Sequence, residues 1–349
     1  MKKLIGILVF LFVLATLPSI SLAADTLDEK IKNAALNYVE VIEKNNSIWA
    51  NAKTDYEFPL YDFDGNITSY LFSVKIDGKD SGYLIVSGKG DPVILESTRE
   101  GTHPYKGKKN ENQKAIYVGP TMYYTEGNTL NAFNDLREDR KILRSELKSK
   151  GPLSSTVLPK FPTEEQPIDV STIVSYTSKI LNVADMSWYI GCSPTAFGNI
   201  VRYWDSNGKP NLVQSTTTDT KLIDYLANDM KTNRDTSATG WNDRVNGMVK
   251  YWKDRSYSVN VTRVSPSYNT HVSEINNSRP NIINTIGDPT YENHDMTGVG
   301  YEQYQDTNQN LKWTKYVIVH DTWAGTSKHI YLYLDTFSAW NEIVKVVPN

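Results

Sequence analysis

The chain has 349 residues, of which 39% are hydrophobic and 22% are charged, and its formal net charge is -3. These are the values of a globular protein with a sizeable core, and they give no electrostatic reason to expect binding to nucleic acid or to an anionic membrane surface. The single cysteine, Cys192, excludes an internal disulfide framework.

The first 23 residues have the pattern of a secretory signal peptide. Lys2 and Lys3 precede an apolar run that is interrupted by Pro18, and small residues lead up to Ala23. Because the run is short for a bilayer span, we expect cleavage near Ala23 and a secreted, extracellular protein without a stable membrane anchor. An unpaired thiol in a secreted chain is then either a buried core residue or a reactive group.

Residues 25–150 are predicted to form a small α+β domain. Apolar side chains recur at helical spacing over residues 27–42. Strand-like segments follow at 68–76, 82–87, 92–97, 114–119 and 121–124, and a charged helix-like run occupies 130–149. The segment DFDGN at 62–66 imitates the start of a calcium loop but lacks the later ligands, so it predicts a hairpin turn.

Residues 151–172 are predicted to be an exposed linker, because they carry prolines and no periodicity. A second domain is expected over residues 173–349. Helical patterns come first in it, and extended segments follow, which indicates an α+β fold with an antiparallel sheet. The helical patterns lie at 192–204, 219–231 and 241–254, and the extended segments at 256–264, 280–287, 294–304, 315–323, 329–335 and 342–347.

Cys192 is followed by Pro194, a residue that suits the first turn of a helix. The thiol is therefore expected at a helix N-terminus, where the helix dipole favours the thiolate. A nucleophilic thiol also needs a base. His294 opens a strand-like run that contains Gly298 and Gly300, where we expect the strand to pass close to another segment.

Strand geometry restricts which acid could orient this histidine. His320 and Asp321 end a neighbouring strand-like run, and adjacent residues on a strand face opposite sides, so at most one of them enters a common site. For the same reason Asp295 cannot orient His294. The remaining histidines are less suitable, since His103 lies in the first domain and His271 in a region that looks like a polar loop.

Three short motifs resemble those of the papain-like cysteine peptidases, and in particular the bacterial peptidases that process bacteriocin leaders at a double glycine. The first is GCSPTA at 191–196, followed by YW at 203–204. The second joins His294 to GY at 300–301, and the third is VIVHDTW at 317–323. The resemblance covers residues 175–340 and implies a nucleophile helix packed on an antiparallel sheet.

The resemblance also implies site residues. Cys192 would be the nucleophile, His294 the base and Asp321 the residue that orients the imidazole, while Trp188 and Trp323 would line the substrate cleft. The family carries a glutamine before the cysteine as an oxyanion donor, and the segment 181–191 has none. Asn182, Ser187 or Trp188 could substitute for it, and we favour Ser187.

The expected activity is therefore hydrolysis of peptide bonds in a peptide or protein substrate, without a metal or other cofactor. Residues 69–98 resemble the pro-segment of streptopain-like peptidases, which implies that the first domain inhibits the second in cis, and an independent binding module is the alternative. Two other functions stay open. One is transglutaminase-like or amidase acyl transfer on wall peptides, and the other is a catalytically inactive binding or adhesive module with the same fold.

Overall fold

The computed structural model describes residues 27–46, 48–62, 64–121, 123–126, 173–286, 294–307, 310–337 and 340–349. The predicted signal peptide, the helix-like run at 130–149 and the predicted linker lie outside these residues. Within them, no helix is both long enough and apolar enough to cross a membrane. Below, residues 27–126 are called the N-terminal part and residues 173–349 the C-terminal part.

In its described residues the N-terminal part is a helix packed against a sheet. Helix α1 spans Glu29–Asn46, and its buried face of Ala35, Tyr38 and Ile42 repeats at helical spacing. The strands are β1 (Lys53–Tyr61), β2 (Ile67–Ile76), β3 (Lys79–Ser87), β4 (Ile94–Thr98), β5 (Ala115–Tyr117) and β6 (Tyr123–Thr125). Strands β1 to β4 form an antiparallel meander, and β5 pairs in parallel with β1. The DFDGN segment joins β1 to β2, so the predicted hairpin turn is confirmed.

The C-terminal part begins with a strand and continues with four helices and a sheet. Its helices are α2 (Cys192–Ser206), α3 (Asp219–Asp229), α4 (Trp241–Lys253) and α5 (Tyr268–Asn276). Its strands are β7 (Ile173–Ile180), β8 (Val259–Val264), β9 (Asn281–Thr285), β10 (His294–Asp306), β11 (Lys312–His320), β12 (Ile330–Tyr333) and β13 (Trp340–Pro348). The α+β class and the antiparallel sheet are as the sequence predicts.

Three elements, strands β1 and β7 and helix α5, were not expected from the sequence. Strands β1 and β7 are mostly half-exposed or exposed along their length, so neither shows the alternation of a half-buried strand. The expectation that His271 lies in a polar loop is wrong, because His271 is fully buried in helix α5. Polar residues such as Ser273 and Asn276 hid the short buried face of that helix.

All thirteen described strands belong to one sheet, in the order β6-β5-β1-β2-β3-β4-β12-β11-β10-β9-β13-β8, and β7 pairs with β10 beside β9. The two parts of the chain meet where β4 pairs with β12 and Leu332 lies opposite Glu96. Gly300 is needed where β7 crosses, because a Cβ there would lie 2.5 Å from the Lys179 carbonyl oxygen. The expected close approach along β10 is thereby confirmed.

One hydrophobic core spans both parts, and a second one lies under helices α2, α3 and α4. The shared core contains Tyr38 of α1, Leu84 of β3 and Val317 of β11. The second core contains Phe197 of α2, Leu226 of α3 and Trp252 of α4. Helix α2 therefore packs on the sheet with nearly all of its first nine residues buried.

A buried ion pair fixes the contact between the two parts. The Arg99 guanidinium, next to β4, makes a bidentate contact of 2.8 Å with both carboxylate oxygens of Glu302 on β10. Tyr176 donates a hydrogen bond of 2.6 Å to the same carboxylate, and Tyr38 donates one of 3.3 Å. Since Glu302 is fully buried, its charge depends on these partners.

Removing the cation should therefore destabilise the whole molecule. We expect Arg99→Met to lower the free energy of unfolding by about 3–5 kcal/mol, because it leaves a buried carboxylate without its counter-charge. Urea unfolding followed by fluorescence measures this change. Lys75→Met is the control, because Lys75 pairs with Asp55 at the surface and its loss should cost about 1 kcal/mol or less. Equal losses for the two variants would contradict the role given to Arg99.

Candidate active site

Cys192 is the first residue of helix α2, as predicted. Gly191 precedes it in an extended conformation, and a Cβ on Gly191 would lie 2.8 Å from the Ser237 carbonyl oxygen, so only glycine fits there. Pro194 lies in the first turn, where no backbone N–H is required. The Thr195 hydroxyl donates a hydrogen bond of 2.7 Å to the Gly191 carbonyl and closes this turn.

The thiol of Cys192 is half-buried and lies against the start of strand β10. The backbone N–H of Asp295 donates toward its sulfur, and the hydroxyl of Ser193 lies close to it. Burial, and then the Asp295 carboxylate, raise the pKa of Cys192 to about 11. These two effects oppose the helix dipole, so the expectation that the helix start leaves an acidic thiol is not met in this resting arrangement.

His294 is the first residue of strand β10, and its side chain is buried. Its Nε2 atom is 2.8 Å from the backbone carbonyl oxygen of Asp321. The ring also stacks on the indole of Trp323, with centroids 4.4 Å apart and planes 7° from parallel. Because a carbonyl oxygen can only accept, Nε2 carries the hydrogen in the neutral ring and Nδ1 keeps its lone pair.

The carboxyl group of Asp321 does not hold the imidazole. Its Oδ1 atom accepts hydrogen bonds from the Trp323 backbone N–H at 3.0 Å and from the Thr326 hydroxyl at 2.7 Å. Its Oδ2 atom is buried and has no hydrogen-bond partner among the residues that the structure describes. Burial raises the pKa of the Asp321 carboxyl well above its ordinary value, and the nearby Asp185 and Glu96 carboxyls add to this shift. The contact of Asp321 with His294 is therefore made by its backbone carbonyl and not by its carboxyl group.

The loop after β11 is strained where it turns the Asp321 carbonyl toward His294. Thr322 has a φ of 69°, in the left-handed region that a β-branched residue rarely adopts. Such a conformation costs about 1–3 kcal/mol and persists only where its surroundings hold it. The Thr322 carbonyl accepts a hydrogen bond of 2.8 Å from the Trp188 backbone N–H, which ties this loop to the segment before Cys192.

The other predicted positions fall as follows. Trp188 is half-buried, and Ser187 and Asn182 are exposed. Asp295 turns its carboxylate toward Arg244 and away from His294, as strand alternation predicts. Of the remaining histidines, His103 lies on the N-terminal part beside Phe58. Three others bind oxygen atoms elsewhere: His271 the Gly300 carbonyl, His320 the Ala184 carbonyl and His329 the Glu100 carboxylate.

The N-terminal part forms the wall behind Asp321, which the sequence did not indicate. Glu96 is fully buried near Asp321, where it accepts hydrogen bonds from Tyr83 at 2.7 Å and from the Thr121 backbone N–H at 2.8 Å. The ammonium group of Lys108 lies beside Gly325, on the loop that follows Asp321. Long-range contacts of this kind leave no pattern in a single sequence.

The sequence profile of the Peptidase_C39 like family matches residues 173–347, which is half of the chain. The chain belongs to the Peptidase_C39 like family. No curated protein matches the chain. The family match confirms the resemblance to papain-like cysteine peptidases and the papain-like fold class, and it supports a cysteine peptidase at the level of the family. The pro-segment resemblance of the N-terminal part stays a prediction.

The raised pKa of Asp321 predicts a specific dependence of stability on pH. The unfolded carboxyl has a pKa of about 3.9, so above that pH the unfolded state loses its proton before the folded state does. The wild type should therefore lose stability relative to Asp321→Asn as the pH rises from about 4 toward neutral, by up to about 1.4 kcal/mol per pH unit. Urea unfolding at several pH values measures the difference.

Asp235→Asn is the control for this series, since Asp235 is exposed and its replacement should show no such trend. A constant difference between the wild type and Asp321→Asn from pH 4 to pH 7 would show that the Asp321 carboxyl titrates normally.

Proposed function

We propose that the chain is a secreted cysteine peptidase that hydrolyses peptide bonds through Cys192, His294 and Asp321 by way of a thioester. The observation that carries the proposal is the hydrogen bond from His294 Nε2 to the Asp321 carbonyl. His294 begins strand β10, and the Cys192 thiol lies against this start of the strand. This bond leaves Nδ1 as the basic atom of the neutral ring. A base of fixed tautomer beside a cysteine at a helix start is the arrangement that acyl transfer requires.

The first half of the proposed reaction forms the thioester. Cys192 Sγ attacks the carbonyl carbon of the substrate, and the thiol proton passes to His294 Nδ1. The C–N bond then breaks, and the amine leaves with the proton that Nδ1 returns to it. Because the resting thiol is protonated, this transfer has to accompany the attack, so the histidine acts as a general base.

In the second half, water attacks the thioester and gives a proton to Nδ1, the C–S bond breaks, and the thiol regains that proton as the acid product leaves. The backbone N–H of Cys192, which has no acceptor within the helix, would donate to the oxyanion. The exposed Ser187, on the segment before the cysteine, is our candidate for a second donor.

Kinetics of single variants test these roles. We expect Cys192→Ala to abolish cleavage of an unfolded protein substrate, and His294→Ala to lower turnover by about 10²–10⁴-fold, since it removes the base. Ser187→Ala should cost about 10²-fold if Ser187 is an oxyanion donor. Asp321→Asn should stay within about tenfold of the wild type, because the backbone carbonyl that holds His294 is unchanged.

Asp321→Ala is the matched comparison for Asp321→Asn. It removes the acceptor of the Trp323 N–H and the Thr326 hydroxyl, so the loop can shift and turnover should fall much further. If Asp321→Asn falls as far as His294→Ala, the negative charge of the carboxylate is required and the assigned backbone role is wrong.

The alternatives are separated by the products. Hydrolysis in ¹⁸O-labelled water places one ¹⁸O atom in each new C-terminal carboxyl group, whereas transglutaminase-like transfer to an added amine gives an amide without the label. Mass spectrometry distinguishes the two. Intact substrate, together with an unmodified Cys192, would instead favour the inactive binding module.

We also propose that the N-terminal part stays bound to the C-terminal part after secretion and any cut in residues 151–172. The paired strands β4 and β12, the shared core and the buried contact between Arg99 and Glu302 support this. If the N-terminal part inhibits the peptidase in cis, as the resemblance to a pro-segment implies, it does so without being released.

Mass spectrometry and size-exclusion chromatography of protein recovered from the culture medium test this. We expect an N-terminus near Ala24 and, after cleavage in residues 151–172, two fragments that elute together in native buffer and separate only in denaturant. A free and active C-terminal fragment would contradict permanent association and would indicate a released inhibitory domain.

A further inference from the structure

A set of buried charges lies next to Cys192 and Ser193 at the start of helix α2. Asp295 and Thr297 share one face of strand β10, and both contact helix α2. The Ser193 hydroxyl donates a hydrogen bond of 2.5 Å to Asp295 Oδ2. The Thr297 hydroxyl donates one of 3.1 Å to the Ala196 carbonyl, so this face of the strand holds the first turn of the helix.

The Asp295 carboxylate is itself held from two further elements. Arg244 of helix α4 lies 2.5 Å from Asp295 Oδ1, and Asn284 of strand β9 donates to the same oxygen at 2.7 Å. Arg244 also pairs with Glu342 of β13, which accepts a second bond from Arg263 at 2.8 Å. Two acids and two arginines thus compensate one another, and the cluster can remain charged although Asp295 is 1% exposed.

This cluster acts on the nucleophile in two opposite ways. The negative charge of Asp295 raises the pKa of Cys192, whereas the hydrogen bond from the Asp295 backbone N–H to the sulfur lowers it. Asp295, which anchors the start of helix α2, is therefore also the negative charge that raises the pKa of the Cys192 thiol.

We propose that Asp295, anchored by Arg244 and Asn284, is a positioning residue that fixes Cys192 relative to His294 by binding Ser193. Asp295 follows His294 directly, and Ser193 follows Cys192 directly, so one hydrogen bond couples the backbones that carry the two reacting groups. Its carboxylate acts through Ser193 and touches neither substrate nor the reacting atoms. The proposal rests on the proposed function, because positioning has a catalytic meaning only if Cys192 reacts with substrate.

The test combines alkylation of Cys192 with peptide hydrolysis in the full-length protein. The rate of reaction with iodoacetamide is measured against pH for the wild type and for Asp295→Asn. We expect the apparent pKa of Cys192 to fall by about one unit in Asp295→Asn, because a neighbouring negative charge is removed. Peptide hydrolysis should nevertheless fall about tenfold or more, because the neutral amide holds Ser193 and Arg244 less firmly.

Ser193→Ala is the second variant, and it decides the matter if Asp295→Asn does not fold. It removes one hydroxyl and leaves Arg244 and Asn284 on Asp295. We expect hydrolysis to fall about tenfold while the apparent pKa of Cys192 does not fall, since the Asp295 charge that raises it remains. A pKa of Cys192 that falls only in Asp295→Asn, with the same loss of hydrolysis in both variants, is what positioning predicts.

Glu302→Gln is the matched control. Glu302 is also a buried carboxylate on strand β10 with an arginine partner, but it lies at the other end of the strand from Cys192. The Glu302→Gln substitution should lower the melting temperature and leave the alkylation profile of Cys192 unchanged.

Two results would overturn the proposal. The first is an alkylation profile that stays the same in Asp295→Asn and Ser193→Ala, which would make the cluster merely structural. The second is a rise in hydrolysis in Asp295→Asn, which would make Asp295 only an electrostatic restraint on the thiol. If the wild type hydrolyses no peptide, the proposed function fails, and the alkylation profiles still decide whether the cluster controls Cys192.

Discussion

The buried carboxylate of Glu302 is the constraint on which the arrangement of the two parts depends. It lies in the middle of the sheet, on the same strand as His294, and its counter-charge comes from Arg99 on the other side of the contact between the parts. A carboxylate without that cation would be costly at this depth, so the C-terminal part is complete only when the N-terminal part is docked. The pairing of β4 with β12 then extends one sheet through both.

Docking of the N-terminal part has a consequence for the site, because the same strand continues to it. Strand β10 runs from Glu302 back to His294, and strand β11 beside it ends next to Asp321. The buried Glu96 and the ammonium group of Lys108 come from the N-terminal part and lie near Asp321. The N-terminal part thus contributes to the surroundings of Asp321. A detachable inhibitor would not be expected to share its core with the enzyme.

The sequence predicted the local features of the site and missed the long-range ones. The helix start at Cys192, the strand start at His294 and the strand end before Asp321 depend on residues a few positions away, so short motifs reveal them. The pair of Arg99 and Glu302 is 203 residues apart in the chain and follows no periodicity.

The hydrogen bond between His294 and the backbone carbonyl of Asp321 could not be foreseen either. A motif gives the residue type, and the type suggested that the carboxylate would orient the imidazole. Which atom of Asp321 meets His294 depends on the conformation of Thr322, and nothing in a threonine predicts a positive φ. The contact of Asp295 with Arg244 is equally invisible, although alternation along the strand did show that Asp295 points away from His294.

Four buried acids, Glu302, Asp295, Glu96 and Asp321, differ in how they are compensated, and this difference explains their separate roles. Glu302 and Asp295 each face an arginine, so they act as anchors between elements. Glu96 is held by tyrosine hydroxyls and a backbone N–H, and burial raises its pKa.

Asp321 has no cation bound to its carboxyl group among the described residues, and burial raises its pKa further from the ordinary value. A charged carboxylate could attract the imidazolium that forms during catalysis, whereas a neutral one can only shape the loop. The geometry favours the second role, because both donors to Asp321 Oδ1 come from its own loop, while the imidazole is held by a carbonyl that no side-chain titration can remove. The orientation of His294 is therefore expected to persist over a pH range in which the charge of Asp321 changes.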